Sequence, residues 1–253
     1  MSEPVGGERR IVIEELFPEF GNQGGDNGNL MYLRACLPEA EVVKTAFGDE
    51  PAFATRDDVS MVLLGGMTEH QQKLVAAKLM PLRERLAELV DRGMCVLFTG
   101  NAAELLGSAV VAPDGTRTQC LGLFDFVAKQ NFDTRYLATF TGVFEPGDGA
   151  EPINVCGFKA QFTQMEGQNE DCCFCKVNYG FGLREGHMFE GYRRGNCIAT
   201  WIIGPILPSN PPLTRWFLDR MGAEDAPLAF ADVAQTAYEK RWAELNRPGL
   251  VLE

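Results

Sequence analysis

Apolar runs alternate with helical patterns along the first hundred residues. Residues 11–16 (IVIEEL), 59–64 and 94–98 are short apolar segments typical of buried strands, and residues 41–45 are a further candidate. Between residues 74 and 90, leucine, valine and alanine recur at helical spacing. Strands that alternate with helices form parallel sheets with helices on both faces, so this half of the chain predicts an α/β fold.

The pattern changes after residue 107. Strand-like segments now follow one another with glycine-rich turns between them, and helical spacing returns near the end. Neither a repeat nor a linker interrupts the chain, so one domain over residues 1–253 is the simplest expectation. The predicted strands are 109–112, 136–144, 153–158, 173–181 and 196–203, and the predicted helices are 213–221 and 228–246.

Residues 94–107 (MCVLFTGNAAELLG) contain the most informative local pattern. They predict a buried strand, a sharp Thr-Gly-Asn turn and a short helix. In α/β enzymes such a turn exposes one residue at the carboxyl end of a central strand, where ligands bind. Thr99 is the residue that the pattern places there.

A second turn-rich segment, residues 17–29, follows the first strand. Its Gly, Asn and Asp content predicts turns and a helix N-cap at Asp26, Asn27 or Asn29. The segment lacks the Lys of a P-loop and the G-x-G-x-x-G spacing. A structural loop and an anion or amide site at the helix start both stay open.

Charge and hydropathy narrow the classes of function. The net charge of −12 disfavours nucleic acid and anionic membranes as partners. No apolar run reaches the roughly 18 residues that a bilayer span needs. The first residues lack the apolar core of a signal peptide, so we expect a cytoplasmic protein.

Cysteine and histidine supply few candidate ligands. The eight cysteines are expected to be free thiols in a cytoplasmic chain. Cys172 and Cys175 have C-x-x-C spacing, but a zinc site would need Cys156 or Cys197 as well, and an alternating core strand explains them better. We therefore predict no metal and no cofactor. With His70 and His187 as the only histidines, few schemes with an imidazole base are available.

Four segments, in order, carry a resemblance to a known family. They are 25–29 (GDNGN), 64–72 (LGGMTEHQQ), 94–107 and 204–211 (GPILPSNP). Together they resemble the class I glutamine amidotransferases of the cobyric acid synthase type, and most of all the glutaminase subunits of lipid II isoglutaminyl synthases. The resemblance extends from about residue 11 to about residue 218.

The resemblance implies a three-layer α/β/α sandwich with a mostly parallel central sheet, the flavodoxin-like fold of class I amidotransferases. It implies hydrolysis of L-glutamine by a Cys on the strand-to-helix turn and a His on a late strand, with backbone N–H groups near a Gly-Gly turn holding the oxyanion. It also implies a Mur-ligase-like synthetase subunit as partner in cell-wall synthesis. A corrinoid pathway stays open.

The nucleophile and the base are replaced in this chain. Thr99 stands at the nucleophile position when the strand and turn are aligned, whereas alignment on the closing Leu-Leu-Gly segment puts Phe98 there. Where the family has His-Gly-Pro, this chain has Ile203 followed by Gly and Pro, and Met67 replaces a third glycine.

Other family positions keep suitable residues. The resemblance assigns Asp26 as the acid that orients the base. It assigns Gly65, Gly66 and Gly100 to substrate binding, and Arg135 to the glutamine carboxylate.

A threonine hydroxyl without a base is not a nucleophile at neutral pH, so the sequence favours loss of glutaminase activity. Three hypotheses remain. The chain is a non-hydrolysing subunit with a ligase-like partner, an active amidotransferase with His187 or His70 as a relocated base, or a stand-alone binding protein on the same scaffold.

Overall fold

The computed structural model describes residues 10–147 and 149–247. The helices are α1 (Asn27–Cys36), α2 (Ala52–Thr55), α3 (Glu69–Leu79), α4 (Arg83–Asp91), α5 (Ile206–Ser209), α6 (Pro211–Arg220) and α7 (Ala231–Leu245), and 3-10 helices span Met80–Leu82 and Gly100–Leu106. The strands are β1 (Val12–Leu16), β2 (Glu41–Thr45), β3 (Met61–Leu64), β4 (Cys95–Thr99), β5 (Ala109–Val111), β6 (Arg117–Gln119), β7 (Phe126–Gln130), β8 (Tyr136–Phe144), β9 (Ile153–Gln161), β10 (Thr163–Gly167), β11 (Cys175–Tyr179), β12 (Phe189–Glu190), β13 (Tyr192–Arg194) and β14 (Cys197–Thr200).

A six-stranded sheet forms the centre, in the order β2-β1-β3-β4-β14-β13. The first five strands in that order are parallel, and β13 is antiparallel at the edge. The strand order reverses direction beside β1, and in such sheets ligands bind at the carboxyl ends of the strands near this switch point.

The apolar strands are buried on both faces because their side chains alternate between two cores. On β4, Val96 and Phe98 pack with the leucines of α3 and α4. Cys95 and Leu97 point the other way and pack with α1 and α6. The predicted three-layer α/β/α sandwich with a mostly parallel sheet is therefore confirmed.

Local signals in the sequence explain where the helices begin and end. Thr68 and Gln71 form a capping box at the start of α3. Pro81 lies in the 3-10 turn that separates α3 from α4, as the break in the pattern predicted. Gly93, with φ +97°, follows α4 and ends it.

The second half differs most from the prediction. The strand predicted over residues 136–144 is confirmed as β8, and it joins β9, β11 and β12 in one four-stranded sheet. Strands β6, β7, β10, β12 and β13 were missed, because most are short and polar residues interrupt them. Helix α7 begins at Ala231, three residues later than expected, after Phe230 at φ +52°.

The eight cysteines are all unpaired, as predicted. Among the described residues, no helix has the length and hydropathy that crossing a bilayer requires.

Candidate functional site

A cleft of about 410 Å³ opens at the carboxyl edge of the central sheet. The turns after β1, β3, β4 and β14 line it on one side, and β9 with the segment before β8 lines it on the other. Its lining residues are Gln23, Gly24, Gly66, Met67, Glu69, Gly100, Asn101, Arg135, Ala160, Phe162, Trp201 and Ile203. The fold thus brings four of the predicted site residues, Gly66, Gly100, Arg135 and Ile203, to one place.

Thr99 lies beside this cleft, but its side chain does not line it. The residue ends β4 with extended backbone angles and is 1% exposed. Its hydroxyl donates a hydrogen bond to Oδ1 of Asp26 over 2.5 Å. Thr99 therefore presents its oxygen to the loop after β1 and not to a ligand in the cleft.

Asp26 is held from two sides. Its Oδ1 accepts from Thr99, and its Oδ2 accepts from the backbone N–H of Gly24 over 3.1 Å. Burial raises the pKa of Asp26, although these hydrogen bonds favour the charged form. Asp26 also precedes α1, but its side chain makes no capping bond there. Its carboxylate instead ties the glycine-rich loop to β4.

The turn after β3 packs tightly against that loop. A Cβ at Gly65 would collide with the carbonyl oxygen of Gly21 and with the side chain of Asp26, so only glycine fits. The backbone N–H of Gln23 donates to the carbonyl of Gly66 over 3.0 Å. Gly65 thus lets two loops approach closely, while Gly66 reaches the cleft.

Gly100 occupies the turn itself, with φ +61°. A Cβ built there would lie 3.2 Å from Cα of Gly66 and 3.4 Å from Cγ2 of Ile203. This direction points into the cleft, between the Gly-Gly turn and the position predicted for the base. The alternative alignment, with Phe98 at the nucleophile position, does not fit the structure, because the Phe98 ring is fully buried in the core beneath α3.

Asn101 locks the two turns together. Its Oδ1 accepts from the backbone N–H of Met67 over 2.9 Å, and its Nδ2 donates to the carbonyl of Met67 over 2.7 Å. A backbone donor of the turn after β3 is therefore already bonded within the protein.

Ile203 faces Gly100 across the cleft. Its backbone N–H donates to the carbonyl of Phe158 on β9 over 2.9 Å, which fixes the chain after β14. Neither histidine lines the cleft. The imidazole Nδ1 of His187 lies 3.0 Å from the carbonyl oxygen of Phe189, and His70 is exposed on the first turn of α3.

Two opposite charges line the mouth of the cleft. Arg135 is exposed, and its guanidinium lies 5.2 Å from the ring centroid of Phe162. Glu69, in the first turn of α3, is half-buried. No ion pair of Arg135 is present among the described residues, so its charge is available to a ligand.

Metal chemistry finds no support in the described part of the chain. No group of three or more His, Cys, Asp or Glu side chains there is arranged to hold an ion. Cys95 and Cys197 lie in the central sheet, where burial raises the pKa of each thiol to about 12. These thiols are therefore protonated and inert.

Comparison with known families decides the relationship. Residues 17–211 match the model of the CobB/CobQ-like glutamine amidotransferase domain. The chain belongs to this amidotransferase family. The flavodoxin-like class I fold inferred from the sequence is confirmed.

A relative within the family agrees. The chain is 26% identical over 213 residues to the subunit GatD of the glutamine-hydrolysing lipid II isoglutaminyl synthase from Staphylococcus aureus, covering 83% of this chain and 84% of that protein.

Solved structures show the same fold. One is a chain of PurLQS from Thermotoga maritima, with a TM-score of 0.52, 12% identity, and coverage of 92% of this chain and 99% of that one. Another is a glutamine amidotransferase from the same organism, with a TM-score of 0.51, 9% identity, and coverage of 94% and 96%.

Sequence reasoning missed a buried polar group behind the amidotransferase cleft. Glu104 lies in the 3-10 helix after Gly100 and is 0% exposed. It accepts hydrogen bonds from Nε2 of Gln72 over 2.8 Å and from the indole Nε1 of Trp201 over 3.1 Å. A single carboxylate among apolar residues (AAELLG) was the available signal.

Proposed function

We propose that this chain is an amidotransferase-type subunit that binds glutamine in its cleft but does not hydrolyse it. Family membership supports the subunit type. The relationship to a lipid II isoglutaminyl synthase subunit supports a role in lipid II amidation, next to a Mur-ligase-like synthetase.

The observation that carries the proposal is the direction in which a side chain at position 100 would point. Its missing Cβ points at the Gly66 turn and at Ile203, which is where a nucleophile would meet an oxyanion site and a base. We therefore infer that Gly100, rather than Thr99, holds the place of the nucleophile.

Neither a nucleophile nor a base is present at these positions. Glycine offers no side chain, and isoleucine can neither accept nor donate a proton. Among the described residues that line the cleft there is no cysteine and no histidine. Asn101 already uses the N–H of Met67, so one donor that would stabilise an oxyanion is engaged.

The pair of Thr99 and Asp26 is the other conceivable reactive unit. A carboxylate 2.5 Å from a hydroxyl can accept its proton. Both side chains are buried, however, and neither lines the cleft. A substrate carbonyl in the cleft could not reach the Thr99 oxygen without movement of the loop after β1.

The charged groups at the mouth suit an amino acid. Arg135 can pair with an α-carboxylate and Glu69 with an α-ammonium group, while the cleft volume accommodates L-glutamine. Binding without hydrolysis would make the cleft a sensor or a structural part of a synthetase complex. The cytoplasm stays the predicted location.

Two measurements test the proposal. Co-expression with the Mur-ligase-like subunit of the same organism should give a complex that co-purifies, and its absence would favour a stand-alone binding protein. Isotope-labelled glutamine incubated with that complex should release no ammonia above a protein-free blank. Ammonia release by the wild type would support an active amidotransferase instead and would contradict the proposal.

A further inference from the structure

Glu104 is connected to three residues of the cleft wall. It contacts Trp201 directly, through the indole N–H. It contacts Asn101 through Gln72, whose Nε2 donates both to Glu104 and to the carbonyl of Asn101 over 2.7 Å. Asn101 in turn holds Met67 by two hydrogen bonds. A change at the Glu104 carboxyl is therefore passed to the cleft by direct contacts.

The carboxyl group of Glu104 is surrounded by donors. Gln72, Trp201 and Thr163 all hydrogen-bond to it, which suits a carboxylate because both oxygens accept. A protonated carboxyl is neutral and carries an O–H donor, which the Thr163 hydroxyl can turn to accept, because a hydroxyl both donates and accepts. Protonation must rearrange at least one of these contacts.

Of the two N–H donors, the Trp201 indole is the less fixed, and its bond to a neutral carboxyl is weaker than its bond to a carboxylate. Gln72 is fixed from three directions, since its Oε1 also accepts from Nε2 of Gln130 over 3.3 Å. The backbone N–H of Trp201 is held separately by Oε1 of Glu190 over 2.8 Å. The Trp201 indole can therefore turn while its backbone stays in place.

The carboxyl of Glu104 gains or loses its proton near neutral pH. Burial raises the pKa of Glu104 to about 7, against hydrogen bonds from Gln72, Thr163 and Trp201 that lower it, and the charge of Glu69 raises it further. Other titratable groups nearby are the thiol of Cys120, which burial holds protonated, and Glu190, behind the Trp201 backbone.

We propose that Glu104 is a proton-controlled positioning residue, which holds the Trp201 indole in the cleft wall more firmly when charged than when protonated. The Trp201 side of the cleft would then be held less firmly as the pH falls through neutrality. The proposal concerns the cleft wall alone and holds whether or not the cleft hydrolyses glutamine.

Nuclear magnetic resonance of the tryptophan indole N–H groups tests this directly. The signal of Trp201, assigned by its loss in Trp201→Phe, should shift with pH around a midpoint of about 7. The indole N–H of Trp216 is buried without a hydrogen-bond partner among the described residues, so it is an internal reference that should not follow the same curve.

Two variants separate Glu104 from other sources of the shift. Glu104→Gln should abolish the titration of the Trp201 signal. Glu69→Gln should lower its midpoint, because a negative charge that raises the pKa is removed, and this variant decides the matter if Glu104→Gln does not fold. A Trp201 signal that does not titrate near neutral pH, or one that titrates unchanged in either variant, would overturn the proposal.

Discussion

The Thr99 hydroxyl donates a hydrogen bond to Asp26 over 2.5 Å, and this contact joins the end of β4 to the glycine-rich loop after β1. Both side chains are buried. The contact makes Thr99 a structural residue behind the cleft in our account.

Removing this hydroxyl should destabilise the protein. Thr99→Val keeps the shape but leaves the buried Asp26 carboxylate short of a donor, which costs about 1–3 kcal/mol. The loss should grow as the pH rises, because burial raises the pKa of Asp26 and the charged carboxylate needs the donor most. Urea unfolding measures it, and Thr99→Ser, which retains a hydroxyl, is the matched control. Equal stability of the Val variant and the wild type would argue against the contact.

Cysteine substitution reports which residue faces the cleft. The thiol of Gly100→Cys should react with iodoacetamide, whereas that of Thr99→Cys, at a position 1% exposed, should stay protected in the native protein. A side chain at φ +61° costs stability, roughly 1–2 kcal/mol, so folding is checked first. Peptide mass mapping distinguishes these sites from Cys172 and Cys173. The reverse order of reactivity would restore Thr99 as the nucleophile position.

How far the sequence predicts this structure depends on the kind of feature. Long apolar runs gave the central strands within a residue or two, since burial on both faces needs continuous apolar residues. The family resemblance led to residues that the fold brings together at one cleft. The choice between Thr99 and Gly100 depends on one backbone angle at the turn, which residue types alone do not determine.

Contacts between distant segments were also beyond the sequence. Glu104 meets Gln72 from α3 and Trp201 from after β14, and no spacing rule connects the three. Strand β6 (Arg117–Gln119) is polar and short, so it depends on pairing with β5 rather than on its own pattern.

Stability should depend on pH through Glu104. The pKa is raised from 4.5 to about 7 in the folded protein, so the folded state retains a proton that the unfolded chain has lost between these values. The contribution of this group is complete below the lower value and is lost as the pH rises to the upper one. The unfolding free energy should be measured for the wild type and Glu104→Gln from mildly acidic to mildly alkaline pH. As the pH rises, the wild type should lose stability relative to the variant. Parallel curves would exclude the effect.

Breaking a buried ion pair behind the cleft should reduce the stability of the protein more strongly. Lys159 and Glu190 are both 0% exposed, and Lys159 also donates to the carbonyl of Gly182 over 2.5 Å. Lys159→Met leaves Glu190 charged and unpaired, which should cost about 3–5 kcal/mol.

The exposed pair of Lys176 and Glu145, 2.9 Å apart, is the control. Lys176→Met should cost about 0–1 kcal/mol, because water screens exposed charges. Chemical denaturation measures both variants, and similar losses would show that burial of the first pair carries no extra energy.

Ammonia release from glutamine tests the central claim most directly. The purified chain, alone and bound to its ligase-like partner, should produce no more ammonia than a protein-free blank, while the Staphylococcus aureus relative, assayed in parallel, supplies the positive control. Turnover by the wild type that disappears in Thr99→Ala would contradict the account, because it would make Thr99 the nucleophile of a working glutaminase.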